Sequence, residues 1–137
     1  MSNVIPFPGR TVSPWFYIAN EMVQEELLTF PKGHPVCSIF SEEDFLRRFA
    51  QLKPAFVLIR DNLTWTDPLA LITRLNELSN SPILLLLKKR KSKNQENFIR
   101  QAFQAGVFDI LHLPLQEIEV EETVNLILRV SKKVTSG

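Results

Sequence analysis

Five short apolar runs punctuate the chain, and the segments that follow them repeat apolar residues at helical spacing. Trp15-Phe16-Tyr17-Ile18-Ala19 predicts a first strand, and Met22, Val23, Leu27 and Phe30 then suit a short helix. Pro35 to Phe40 predicts a second strand. Ser41, with Asp44 three residues on, is a helix start of the capping-box kind, and Phe45, Leu46, Phe49 and Ala50 supply the buried face. Ala55 to Ile59 is unbroken and apolar, as a parallel strand covered on both faces requires. Asp67 and Pro68 offer an N-cap and a first-turn proline to a helix carried by Leu69, Ile72, Leu75 and Leu78 as far as Ser79. Ile83 to Leu87 predicts the fourth strand. Phe98, Ile99, Ala102, Phe103 and Ala105 form a helical face that Gly106 ends, and Val107 to Leu111 predicts the fifth strand.

The last helix is expected from Gln116 or Glu117. Acidic residues (Glu117, Glu119, Glu121, Glu122) stand near its positive end, Arg129, Lys132 and Lys133 near its negative end, and Val120, Val124, Ile127 and Val130 or Ser131 along its inner stripe. Five βα units with right-handed crossovers imply a doubly wound parallel sheet with helices on both faces. Function in such sheets sits at the carboxyl ends of the strands.

Length and composition narrow this further. With 137 residues, 45% hydrophobic, 23% charged and a formal charge of +1, the chain suits one globular domain with no global attraction to nucleic acid or membrane. The expected organisation is a flexible leader over 1–13, a domain over 14–131, and a tail or the start of a linker over 132–137. Cys37 is the single cysteine, so no intramolecular disulfide can form, and its apolar neighbours place it in the core. No basic segment leads into an apolar one at the N-terminus, and runs such as Ile83 to Leu87 are far too short to cross a bilayer; a cytoplasmic location is expected.

Candidate chemistry is sparse. His34 and His112 have no acid or cysteine cluster around them at metal-ligand spacing, and no glycine-rich phosphate loop is present, so no metal and no cofactor are expected. Lys88-Lys89-Arg90-Lys91-Ser92-Lys93 is the one strong charge run; without interleaved aromatics or a recognition helix it reads as a solvated loop sooner than as a nucleic-acid site. Trp65, between Thr64 and Thr66, reads as a lid over the strand ends in preference to an exposed binding anchor.

The order of elements resembles the receiver domain of two-component response regulators, a flavodoxin-like (βα)5 fold with strand order 2-1-3-4-5. Ala102-Phe103-Gln104-Ala105-Gly106-Val107-Phe108-Asp109-Ile110-Leu111-His112-Leu113-Pro114-Leu115 looks like that family's fourth helix, fifth strand and following proline, and Lys53 to Pro68 matches without a gap. The resemblance implies an aspartate phosphoacceptor at the end of the third strand and a divalent cation held with an acidic pair after the first. Arg60 stands at the acceptor position. A guanidinium can serve neither as nucleophile nor as ligand to a hard cation. The acidic pair falls on Asn20 and Glu21, or, shifted by one, on Ala19 and Asn20; the phosphoryl-binding hydroxyl and lysine fall on Leu87 and Leu113.

These departures lead to the expectation of a non-enzymatic pseudo-receiver that works through protein–protein contacts, with an atypical phosphoacceptor using Asp61 as the alternative. Arg60 is expected to pair with Glu21 or Asp61 where the family places metal and phosphoryl group, and the Leu113-Pro114 peptide is expected to be cis by the same resemblance. The expected partner is a signalling protein, possibly a second copy of the chain. Its contact face would comprise the fourth helix, fifth strand and fifth helix, with Lys88, Lys89, Arg90, Lys91 and Arg100 facing Glu117, Glu119 and Glu121.

Overall fold

The computed structural model describes residues 13–90 and 92–136, and side chains as far as residue 130. Strands β1 (Trp15–Ile18), β2 (Val36–Ile39), β3 (Phe56–Arg60), β4 (Ile83–Lys88) and β5 (Asp109–Leu113) alternate with helices α1 (Gln24–Leu27), α2 (Glu42–Gln51), α3 (Pro68–Leu78), α4 (Lys93–Ala105) and α5 (Glu117–Ser136). The strands form one parallel sheet in the order β2-β1-β3-β4-β5.

Side chains of a strand alternate between faces, and that period divides the core in two. Phe16, Ile18, Val57, Ile59, Ile83 and Leu85 point to one face, where Phe45 of α2, Leu71, Ile72 and Leu75 of α3 and Ala102 of α4 cover them. Trp15, Tyr17, Phe56, Leu58, Leu84 and Leu86 point to the other, under Phe30 and Val120, Val124 and Ile127 of α5. Strands β3 and β4 are buried on both faces, which is why they read as unbroken apolar runs.

Local chemistry sets the helix boundaries. The Ser41 hydroxyl accepts the Asp44 amide at 3.1 Å, Asp67 accepts the Leu69 amide at 3.0 Å, and Ser92 accepts the Gln95 amide at 3.2 Å; each satisfies an amide that the first helical turn leaves free. Gly106 closes α4 at φ 120°, and a β-carbon there would lie 2.6 Å from the Asn76 side chain, so α3 and α4 meet where only hydrogen fits.

Several expectations shift. The first helix is a single turn, with Met22 exposed and Glu26 buried on the inner side. On α2, Leu46 and Ala50 lie outside while Phe45 is buried; on α3, Leu71 takes the inner place expected for Leu78, which is exposed. Strand β5 begins at Asp109, because Val107 still belongs to the helix closure and the Phe108 amide is the first to join β4, at the Ile83 carbonyl. Val130 is exposed at the end of the α5 stripe, and the backbone stays helical through Ser136, across residues expected to be tail. The Ser131 side chain and nearly all of the 1–13 leader lie outside the described residues. Cys37 is half-buried against the core, and burial pushes its thiol pKa up. The Leu113-Pro114 peptide is cis.

Candidate functional site

The carboxyl ends of β1, β3, β4 and β5 carry the residues singled out in the sequence, and strand alternation sorts them into two groups. Arg60 continues the parity of Phe56 and Leu58, so it points to the α1 and α5 side; Lys88 and Leu113 share that side and line one cleft with it. Asp61 falls on the opposite side and lines a pocket of about 200 Å³ with Leu87, Arg90 and Phe98. Arg60 and Leu113 therefore share one cleft, while Leu87 lies with Asp61 in another.

Arg60 pairs with neither Glu21 nor Asp61. Its Nη1 donates to Glu26 Oε2 at 2.6 Å, and the Tyr17 hydroxyl donates to Glu26 Oε1 at 2.6 Å, so both oxygens of the carboxylate have a partner. The ion pair is largely withdrawn from water, with 14% of the Arg60 side chain and 8% of the Glu26 side chain exposed. Burial first, then the hydrogen bond and charge of Glu26, drive the Tyr17 phenol pKa well above its ordinary value against the opposing pull of Arg60. Glu21 is exposed on the bend after β1.

Sequence reading missed Glu26. A signal was present: it stands three residues after Val23 and four before Phe30, at helical spacing, so it falls on the inward side with Phe30. A tyrosine within an otherwise apolar strand was the second sign that a polar partner waited on that face.

The register of β1 against β3 pairs Ile18 with Ile59, one residue before Ala19 and Arg60. Asn20 is occupied elsewhere. Its amide nitrogen donates to the Asn62 carbonyl at 2.7 Å, and its amide oxygen accepts the Thr64 backbone N–H at 2.9 Å and the Thr64 hydroxyl at 3.2 Å. Trp65 is half-buried, and its Nε1 donates to the Ala19 carbonyl at 3.1 Å, so the indole closes over the end of β1. The Asp61 amide donates to Leu86, extending the ladder, while one buried oxygen of its carboxylate has no partner among the described residues.

Leu87, the residue expected at the hydroxyl position, is buried. Lys88, Lys89, Arg90, Arg100, Glu117, Glu119 and Glu121 are exposed, and none joins an ion pair among the described residues; Lys91 lies outside them. The basic segment is held in place by Gln95, whose side chain accepts the Arg90 amide and donates to the Lys88 carbonyl, each at 2.7 Å. His34 packs beside the Trp15 ring, and His112 is exposed on β5. Among the described residues, no group of three or more His, Cys, Asp or Glu is placed to hold a metal ion. No described helix is long and apolar enough to cross a membrane.

No protein-family model matches the sequence, and neither does a curated protein sequence. Solved structures do match. The chain is similar to a two-component response regulator from Clostridium difficile (18% identity, TM-score 0.71, covering 85% of this chain and 96% of that one). It is also similar to a CheY-like response regulator receiver domain from Methanospirillum hungatei (12%, 0.71, 90% and 98%). A third match is the signal receiver domain of an HD domain-containing protein from Pseudomonas fluorescens (16%, 0.72, 96% and 98%). With the strand order, these similarities establish that the chain has the fold of response regulator receiver domains.

Proposed function

We propose that the chain is a pseudo-receiver: a receiver-fold module of two-component-type signalling that does not transfer phosphoryl groups and acts through protein contacts. One observation carries this reading. The acceptor position holds Arg60, engaged in a nearly buried ion pair with Glu26, so an internal cation sits where phosphoryl transfer needs a carboxylate and a divalent metal. Leu87 and Leu113 support it, since neither side chain can bind phosphoryl oxygens.

The second reading, phosphoryl acceptance by Asp61, draws on the unpartnered carboxylate oxygen and on Arg90 in the same pocket. Against it stands Leu87 in the same pocket, which offers neither an oxygen ligand to a cation nor a hydrogen-bond donor to phosphoryl oxygens. Calorimetric titration with magnesium separates the two. The pseudo-receiver gives no binding heat at millimolar magnesium, whereas saturable millimolar binding lost on Asp61→Asn would establish the second reading instead.

For partners, we propose the face of α4, β5 and α5, used by a second copy of the chain or by another signalling protein. Lys88, Lys89 and Arg90, exposed and without ion-pair partners among the described residues, and the acidic start of α5 offer complementary charge for a two-fold contact.

A further inference from the structure

We propose that the cleft over Arg60 is a binding site for a small molecule that joins a carboxylate to an apolar body. The cleft has a volume of about 450 Å³, within the range that holds drug-sized ligands, and lies at the carboxyl ends of β3, β4 and β5. Its walls are Val23, Leu113, Pro114 and Leu115.

Charge in the cleft is arranged asymmetrically. Both Glu26 oxygens are already taken, by Tyr17 and by Arg60, so that carboxylate has little left for a ligand. The cations are less committed. Arg60 lines the cleft with its Nε buried and without an acceptor among the described residues, and Lys88, on the same face of the sheet, is exposed with no ion-pair partner among them. Arg60 cannot swing away without stranding Glu26, so its guanidinium is fixed before a ligand arrives. A fixed guanidinium beside a mobile ammonium suits a carboxylate, and the four apolar side chains suit a hydrocarbon body. Glu25, exposed on the cleft wall, has no ion-pair partner among the described residues; it would receive the ammonium if the ligand were an α-amino acid.

This inference rests on the reading of Arg60 as a permanent internal cation, and it fails separately from it. Phosphoryl incorporation at Asp61 would sink the pseudo-receiver without touching the cleft, and an empty cleft would leave the pseudo-receiver standing.

The test is an amide-shift NMR titration of the full chain with 3-phenylpropanoate, phenylalanine and 3-phenylpropan-1-ol. Expected are saturable shifts at Val23, Lys88 and Leu115, with a dissociation constant of roughly 1 mM or tighter for the acid or the amino acid, as suits ligands of this size. The alcohol should bind at least about tenfold more weakly, the loss of one charge-assisted contact. Phenylalanine exceeding the acid, with the advantage removed by Glu25→Gln, would place the ammonium at Glu25; the acid exceeding phenylalanine would assign a simple carboxylate. Arg60→Gln should weaken the acid about tenfold, and because that variant also strands Glu26, the exposed Lys88→Gln provides the independent check with a loss of about threefold. No saturable shift with either anionic probe, an alcohol as tight as the acid, or Lys88→Gln binding as tightly as the wild type would overturn the proposal.

Discussion

Replacing Arg60 by methionine removes the cation and keeps the side chain's apolar reach, leaving Glu26 buried with the Tyr17 hydroxyl as its remaining partner. Breaking a buried ion pair from one side costs about 3–5 kcal/mol, because an uncompensated charge stays behind. The Arg60 end borders an open cleft and is 14% exposed, so water can reach part of the site and lower the loss to about 2–3 kcal/mol. For a domain of this size, each kcal/mol moves the melting temperature by roughly 3–5 °C, which gives a fall of roughly 6–15 °C. Urea unfolding followed through Trp15 and Trp65 fluorescence, with melting by circular dichroism, measures both. The decisive comparison is the double variant Arg60→Met with Glu26→Gln, which no longer buries a charge and should recover most of the loss. If the two single effects simply add, within about 0.5 kcal/mol, the residues are energetically independent and the reasoning is refuted.

Tyr17 is the single tyrosine, so absorbance of the phenolate reports it alone. Its folded pKa lies above the unfolded value of about 10, so the stability it contributes is complete below pH 10 and lost as pH rises beyond; the folded protein should show no phenolate until it unfolds, and a reversible native titration near pH 10 would contradict this. Gly106→Ala should cost about 1–3 kcal/mol in urea unfolding, and adding Asn76→Ala should return only the steric part, because the φ of 120° strains alanine regardless of space. Sedimentation at tens of micromolar should show a dimer that weakens in high salt and disappears on reversing Lys89 and Arg100 to glutamate; a monomer at every salt concentration would remove that role from the α4, β5 and α5 face.

The fold was legible because two signals agreed along most of the chain. Strands buried on both faces, Val57 to Ile59 and Ile83 to Leu87, could only be written in hydrocarbon, and the caps Ser41, Asp67 and Gly106 announced helix ends with a mechanism. Leu78 and Leu46 were misplaced because apolar residues also occur on surfaces, so spacing alone does not choose between two adjacent stripes. At the candidate site, Arg60 was legible as a chemical misfit but its partner was not. Glu21 lay close in the aligned motif, whereas Glu26, buried on the single turn of α1, meets Arg60 from 34 residues away in the chain. That is a tertiary fact. Asp61, by contrast, could be assigned to the far face from the period of two alone, and its pocket with Leu87 agrees.

The central claim, that this receiver fold does not carry phosphoryl chemistry, is tested most directly by intact mass after incubation with acetyl phosphate and magnesium. Arg60 in its ion pair with Glu26, Leu87 in place of a hydroxyl, and a lone Asp61 carboxylate predict a mass unchanged at every time point. A stable gain of one phosphoryl group that vanishes in Asp61→Asn would contradict it.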